Sequence, residues 1–185
     1  RTNSERATPF SRDAGADPQA SIALVGLGKI ARDQHVPAIK AGSLFELVAG
    51  VTDADGIEGL PCFATVSALL KSGLHVDAVA ICTPPQVRAA IAHEAIAAGL
   101  HVMLEKPPAT TTVELEAIRQ HAIERSVSLF AAWHSRFAPQ LPAARQWLAG
   151  RELRSGRISW REDVRKWHPG QRWLWQPGGP GPRGR

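Results

Sequence analysis

Two short stretches of this 185-residue chain combine residue types that could hold a phosphorylated ligand and move a proton. The first, Gly26-Leu27-Gly28-Lys29-Ile30-Ala31, fits the pattern G-x-G-x-x-G/A with Ala in the third place. Between a strand and a helix, the first Gly of this pattern makes a tight turn and the second lets a pyrophosphate approach the backbone. The third small residue lets the helix pack on the strand. The opening helix adds unpaired N–H groups and the positive end of its dipole. The second stretch, Glu105-Lys106-Pro107-Pro108, sets one of only five lysines between an acid and two prolines. A partly desolvated lysine beside an oxidised nicotinamide can trade a proton with a hydroxyl. An exposed lysine paired with Glu105 is the competing reading. In a third stretch, Cys82-Thr83-Pro84-Pro85, Cys82 reads as a small buried hydrophobe rather than a nucleophile.

Periodicity predicts the elements that must position these residues. Residues 21–26 are a short apolar run ending in Gly, as a buried parallel strand does. A helix is expected over 29–41, stopped by Gly42. Further strands are expected over 44–52, 77–82, 100–104 and 127–133. Helices are expected over 65–71, over 86–98 behind the Pro84-Pro85 start, and over 111–125 behind the capping box Thr111-x-x-Glu114. Strands alternating with helices need crossover connections, so the fold class is α/β with a doubly wound parallel sheet. Ligands of such sheets sit outside the carboxyl ends of the strands. That rule brings Gly26, Thr83 and Lys106 to one edge.

The second strand ends in Val51-Thr52-Asp53. An acid at this place pairs with a ribose 2′-hydroxyl and disfavours a 2′-phosphate. With Asp53 at the ribose, NAD is favoured over NADP. With Thr52 there and Asp53 in solvent, the choice stays open, and Asp53-Ala54-Asp55-Gly56 also reads as an ordinary turn.

With 44% apolar residues, the composition supports a packed core and excludes wholesale disorder. No run reaches the roughly 18–20 apolar residues of a membrane span, and no secretory signal is visible. Two cysteines cannot build a multi-bridge framework or a four-ligand zinc site, so no metal and a cytoplasmic setting are expected. The net charge of +5 is unevenly spread: residues 1–150 hold 13 basic and 14 acidic side chains, and residues 151–185 hold 9 and 3. Trp160, Trp167, Trp173 and Trp175 share that basic stretch. Single-stranded nucleic acid stacking on those rings is a third, weaker reading, and neither nucleic acid nor membrane is the expected partner.

Taken together, the fingerprint, His35-x-Pro37-Ala38-Ile39, Thr83-Pro84-Pro85 and Glu105-Lys106-Pro107 resemble the Gfo/Idh/MocA oxidoreductases in order and spacing. Ala132-Trp133-His134-Ser135-Arg136-Phe137, the stretch from Trp160 to Gln171 and Trp175-x-x-Pro177-Gly178-Gly179 are similar to the branch that oxidises L-arabinose and D-galactose at C1. The resemblance runs from about residue 21 to 179. It implies an NAD(P)-binding Rossmann domain and oxidation of an aldose to its lactone, with NAD or NADP as cofactor and a small-molecule sugar as partner. It makes Lys106 the acid/base group and His134, Glu162 and Trp167 the sugar-pocket residues. The cofactor set becomes Gly26, Gly28, Lys29, Ile30, Thr52, Asp53, Cys82, Thr83, Pro84 and Glu105. A non-catalytic, sugar-sensing relative is the alternative.

The chain departs from that pattern after Gly179, where an Asp and a downstream Asn of the family's constellation are missing. The expected organisation is a disordered leader over 1–19, a dinucleotide-binding domain over 20–136, a partial α+β substrate domain over 137–179 with a strand at 156–164, and an irregular tail over 180–185. On that reading the chain is C-terminally truncated, its activity impaired and its oligomerisation surface absent.

Overall fold

In the computed structural model, residues 19–159, Arg161 and Asp163 are described. The apolar run at the start becomes β1, Ala20–Val25, the centre of a six-stranded sheet. Its neighbours are β2, Phe45–Val51, and β4, Ala78–Ile81, both parallel to it. β3 (Cys62–Phe63), β5 (His101–Leu104) and β6 (Leu129–Ala131) complete the order β3-β2-β1-β4-β5-β6, every pair parallel. This is the order of a dinucleotide-binding doubly wound sheet, whose switch point lies between β1 and β4.

Strand residues alternate between the faces, and each face builds its own core. Ala23, Val25, Val79 and Ile81 pack under α2 (Val66–Lys71), α3 (Pro85–Ala97) and α4 (Thr112–Glu124) with Leu69, Ala92, Ile96 and Ile118. Ile22, Leu24, Ala78 and Ala80 face the other way, against Leu27, Ala31 and Ile39. The first helix runs from residue 29 to 41, as expected, with an unforeseen widening. Ala31–His35 is a π-helical turn that continues into α1, Val36–Ala41, capped by Gly42. Such widened turns are rare and cluster at functional sites.

Backbone contacts divide the chain into two compact units, the first ending at Trp133 and the second beginning at His134. The second unit holds a 3-10 turn, His134–Phe137, and α5, Leu141–Leu148. Arg151 covers Trp147 there, its guanidinium carbon 4.4 Å from the ring centroid. Gly156–Ser159 have no regular structure where a strand was expected, and most of 160–164 lies outside the described residues.

Candidate active site

At the end of β1 the chain turns at Gly26, whose φ is +85°. A Cβ at Gly26 would lie 2.9 Å from both Cγ2 and the backbone N of Thr83. Both the turn and the close approach of the loop after β4 therefore require glycine here. Gly28 is different: its φ lies outside the left-handed range, and a Cβ would meet nothing within 4 Å. The protein's own packing does not demand glycine at 28, whereas a phosphate approaching the backbone does. The carbonyl of Gly28 accepts the first helical bond, from Arg32 N–H at 3.1 Å, which leaves first-turn N–H groups for an anion. Ala31 is fully buried against the strand, as the small third position should be. Among the described residues, the Thr83 hydroxyl beside Gly26 is buried without a hydrogen-bond partner. An open glycine, a helix start and an orphaned hydroxyl at one switch point fit a dinucleotide pyrophosphate.

Past the fingerprint, Lys29 forms an ion pair with Asp33, one turn on, and Ile30 is partly exposed. At the end of β2, Thr52 Oγ1 accepts from Ala54 N–H at 3.1 Å and so closes its own turn. Asp53 is exposed and has no hydrogen bond or ion pair among the described residues. Arg32 pins the turn, its Nε 2.8 Å from the Leu27 carbonyl and its Nη2 2.5 and 2.9 Å from the carbonyls of Asp55 and Gly56.

Beyond the switch point, β5 delivers Glu105 and Lys106. The Glu105 carboxylate accepts from Lys106 N–H at 3.0 Å and lies 2.8 Å from His35 Nε2. Burial alone would push Glu105 up. The hydrogen bonds from His35 and Lys106 N–H, with the nearby cations, more than offset it and hold the carboxyl below the usual carboxylate range. The Lys106 side chain is exposed and forms no ion pair among the described residues, so the Glu105–Lys106 pairing that the sequence allowed does not form. Lys106-Pro107 is a cis peptide. Burial, then the Glu105 carboxylate, push the Cys82 thiol up to about 12, against the opposing pull of Arg88. Cys82 is therefore a protonated packing group, as its sequence setting suggested. Pro84 caps α3.

Three residues that sequence reasoning left without a role knit this region together. His35 holds Glu105, Arg32 holds the turn after β2, and Arg88 donates to the carbonyls of Thr83, Glu105 and Pro107. Arg88 was findable: it occupies the same helical stripe as Ala92, Ala95 and Ile96, where an isolated cation stands out. Of the sugar-pocket residues, His134 is exposed in the 3-10 turn of the second unit, and Glu162 and Trp167 lie outside the described residues. A separate cleft of about 290 Å³, lined by Ile39, Phe45 and Ile57 among others, opens where β2 begins, away from the carboxyl ends where ligands of such sheets bind.

The model of the Gfo/Idh/MocA oxidoreductase family, described by its NAD-binding Rossmann fold, matches residues 20–132. The chain belongs to the Gfo/Idh/MocA family. Among family relatives, galactose 1-dehydrogenase of Pseudomonas fluorescens is 49% identical over 158 residues, covering 85% of this chain and 51% of the relative. The crystal structure of D-galactose-1-dehydrogenase from Rhizobium etli superposes with a TM-score of 0.80 at 44% identity, covering 89% of this chain and 53% of that one. The WlbA dehydrogenase from Bordetella pertussis, solved with NADH and UDP-GlcNAcA, gives a TM-score of 0.66 at 29% identity and covers 73% and 42%. The chain thus spans about half the length of the galactose dehydrogenases it matches. No described helix is long and apolar enough to cross a membrane. Among the described residues no three His, Cys, Asp or Glu side chains gather as metal ligands.

Proposed function

We propose that this chain supplies the dinucleotide-binding half and the proton-transfer lysine of an aldose 1-dehydrogenase, oxidising the anomeric carbon of a sugar such as D-galactose or L-arabinose to the lactone. The observation that carries the reading is Gly28, a glycine unexplained by the protein's own packing in the loop after β1, on the same sheet edge as the Lys106 loop after β5, since Val25, Ile81 and Leu104 end their strands level. When bound, an oxidised nicotinamide supplies the acceptor for the C1 hydride. Gly26, Gly28, Lys29 and Ile30 present backbone to the pyrophosphate, and the unpaired carboxylate of Asp53 accepts from the ribose, favouring NAD. Cys82, Thr83, Pro84 and Glu105 line the nicotinamide end. Lys106 takes the proton of the C1 hydroxyl as the C1 hydride leaves for the nicotinamide. The family resemblance assigns the pyranose its hydrogen bonds from His134 and Glu162 and its aromatic face from Trp167.

The test is NAD⁺ reduction with D-galactose and with L-arabinose, run with protein stoichiometric to cofactor so that slow turnover is visible. Sugar-dependent NADH formation, lost by at least about 100-fold in Lys106→Met while NADH still binds, is expected. NADH binding without any sugar-dependent reduction would instead favour the sugar-sensing alternative.

A further inference from the structure

Resting on the reading of Lys106 as the acid/base group, we infer that Arg88 is the positioning residue that fixes the lysine loop to the cofactor turn. Arg88 is 3% exposed. Its Nη1 donates to the carbonyls of Glu105 and Pro107, the two residues flanking Lys106. Its Nη2 donates to the carbonyl of Thr83, the residue that closes on Gly26. One planar guanidinium thus grips the loops after β4 and β5 from beneath. The Glu105 side chain then reaches His35, on the helix that starts at the fingerprint. The contacts close a ring: Gly26 against Thr83, Thr83 to Arg88, Arg88 to Glu105, Glu105 to His35, and His35 back along the helix to Gly28. Lys106, exposed and without an ion pair among the described residues, sits between the two residues that Arg88 holds.

Arginine suits the task for a physical reason. Three carbonyls from two separate loops converge on one group, which needs several donors in a fixed plane; an ammonium is a point donor on a flexible stem and cannot span them. Burying a cation with carbonyls for partners is costly, and burial does hold Arg88 below the usual guanidinium range, with the Glu105 carboxylate opposing. Ordinary core packing at this stripe position would be met by an alanine, as at Ala92 and Ala95.

The test is amide hydrogen exchange on the 185-residue chain. In Arg88→Lys, the amides of Glu105 and Lys106, bonded to the Ile81 carbonyl and the Glu105 carboxylate, are expected to lose about tenfold or more in protection while those of β1 and β2 stay within about twofold. Unchanged protection at those two amides, or an even loss across the sheet, would overturn the proposal; the second result would make Arg88 a general stabiliser. A measurement needing no variant keeps the inference open to refutation if Arg88→Lys fails to fold. In the native chain the Arg88 guanidinium hydrogens should exchange about 100-fold more slowly than those of exposed arginines such as Arg119, and equal rates would contradict the clamp. Lys106→Met separates the two readings. Sugar oxidation that survives it refutes Lys106 as the proton carrier, and leaves the exchange result for Arg88 standing or falling by itself.

Discussion

Gly26 has a φ of +85° and backs onto Thr83, whereas Gly28 has open space where a Cβ would stand. A side chain in the left-handed region costs about 1–2 kcal/mol, and at Gly26 it must also displace Thr83. Gly26→Ala is therefore expected to lower stability by about 2 kcal/mol or more, and Gly28→Ala to change it by less than about 0.5 kcal/mol; urea denaturation of both variants checks the contrast. The two cysteines differ as sharply. Cys62 is exposed, whereas Cys82 is half-buried and its thiol is pushed up to about 12. Because only the thiolate reacts, iodoacetamide at neutral pH should modify Cys62 at least about 100-fold faster than Cys82, which mass spectrometry of the labelled peptides can measure. The sequence announced both the fingerprint and the inert Cys82, since residue type and flanking strand suffice for these. It could not announce the partner of Glu105. That partner, His35, is 70 residues away and meets it only once the sheet has formed.

Helix starts were readable to within a residue or two, and one of them shows how local chemistry can still slip. Thr111 Oγ1 accepts from Glu114 N–H at 3.1 Å, the expected half of a capping box. The Glu114 carboxylate, however, reaches back to Thr110, accepting from its N–H at 2.9 Å and from its hydroxyl, one residue before the place the motif assigns. Thr111→Ala should cost about 1 kcal/mol by removing the cap of α4, measurable by thermal unfolding. β3 went unpredicted because two residues carry no periodicity; Cys62 and Phe63 become a strand only by pairing with Gly50 and Val51. The π-helical turn at Ala31–His35 was equally hidden, because its residues are ordinary helix formers. It carries His35, and the His35–Glu105 contact makes the lysine loop acid-sensitive. Glu105 is held below the usual 4.5, so its stabilising contribution is complete above that value and is lost as the pH falls through the lowered one. Amide exchange at Lys106 should therefore accelerate, relative to β1, on acidification through and below the usual carboxylate range, and Glu105→Gln should remove that pH dependence.

The parallel, doubly wound class of the sheet follows from alternation of strands and helices along the chain, which is why that architecture, β3 apart, could be anticipated without a single contact being known. The excess positive charge did not help in the same way. It belongs to residues 151–185, outside the near-neutral stretch that builds the sheet, and so says nothing of the dinucleotide site. Of the sugar-pocket residues, His134 lies in the second unit and Glu162 and Trp167 lie outside the described residues. What the described residues do present is a turn, a helix start and a lysine loop at the carboxyl edge of one parallel sheet. Titration of the native chain and of Gly28→Val with NADH, followed by nucleotide fluorescence, addresses that arrangement directly. Saturable binding by the native chain, weakened at least about tenfold in a Gly28→Val variant of unchanged stability, is the expected result. NADH binding of equal strength in both proteins, or none in either, would contradict it.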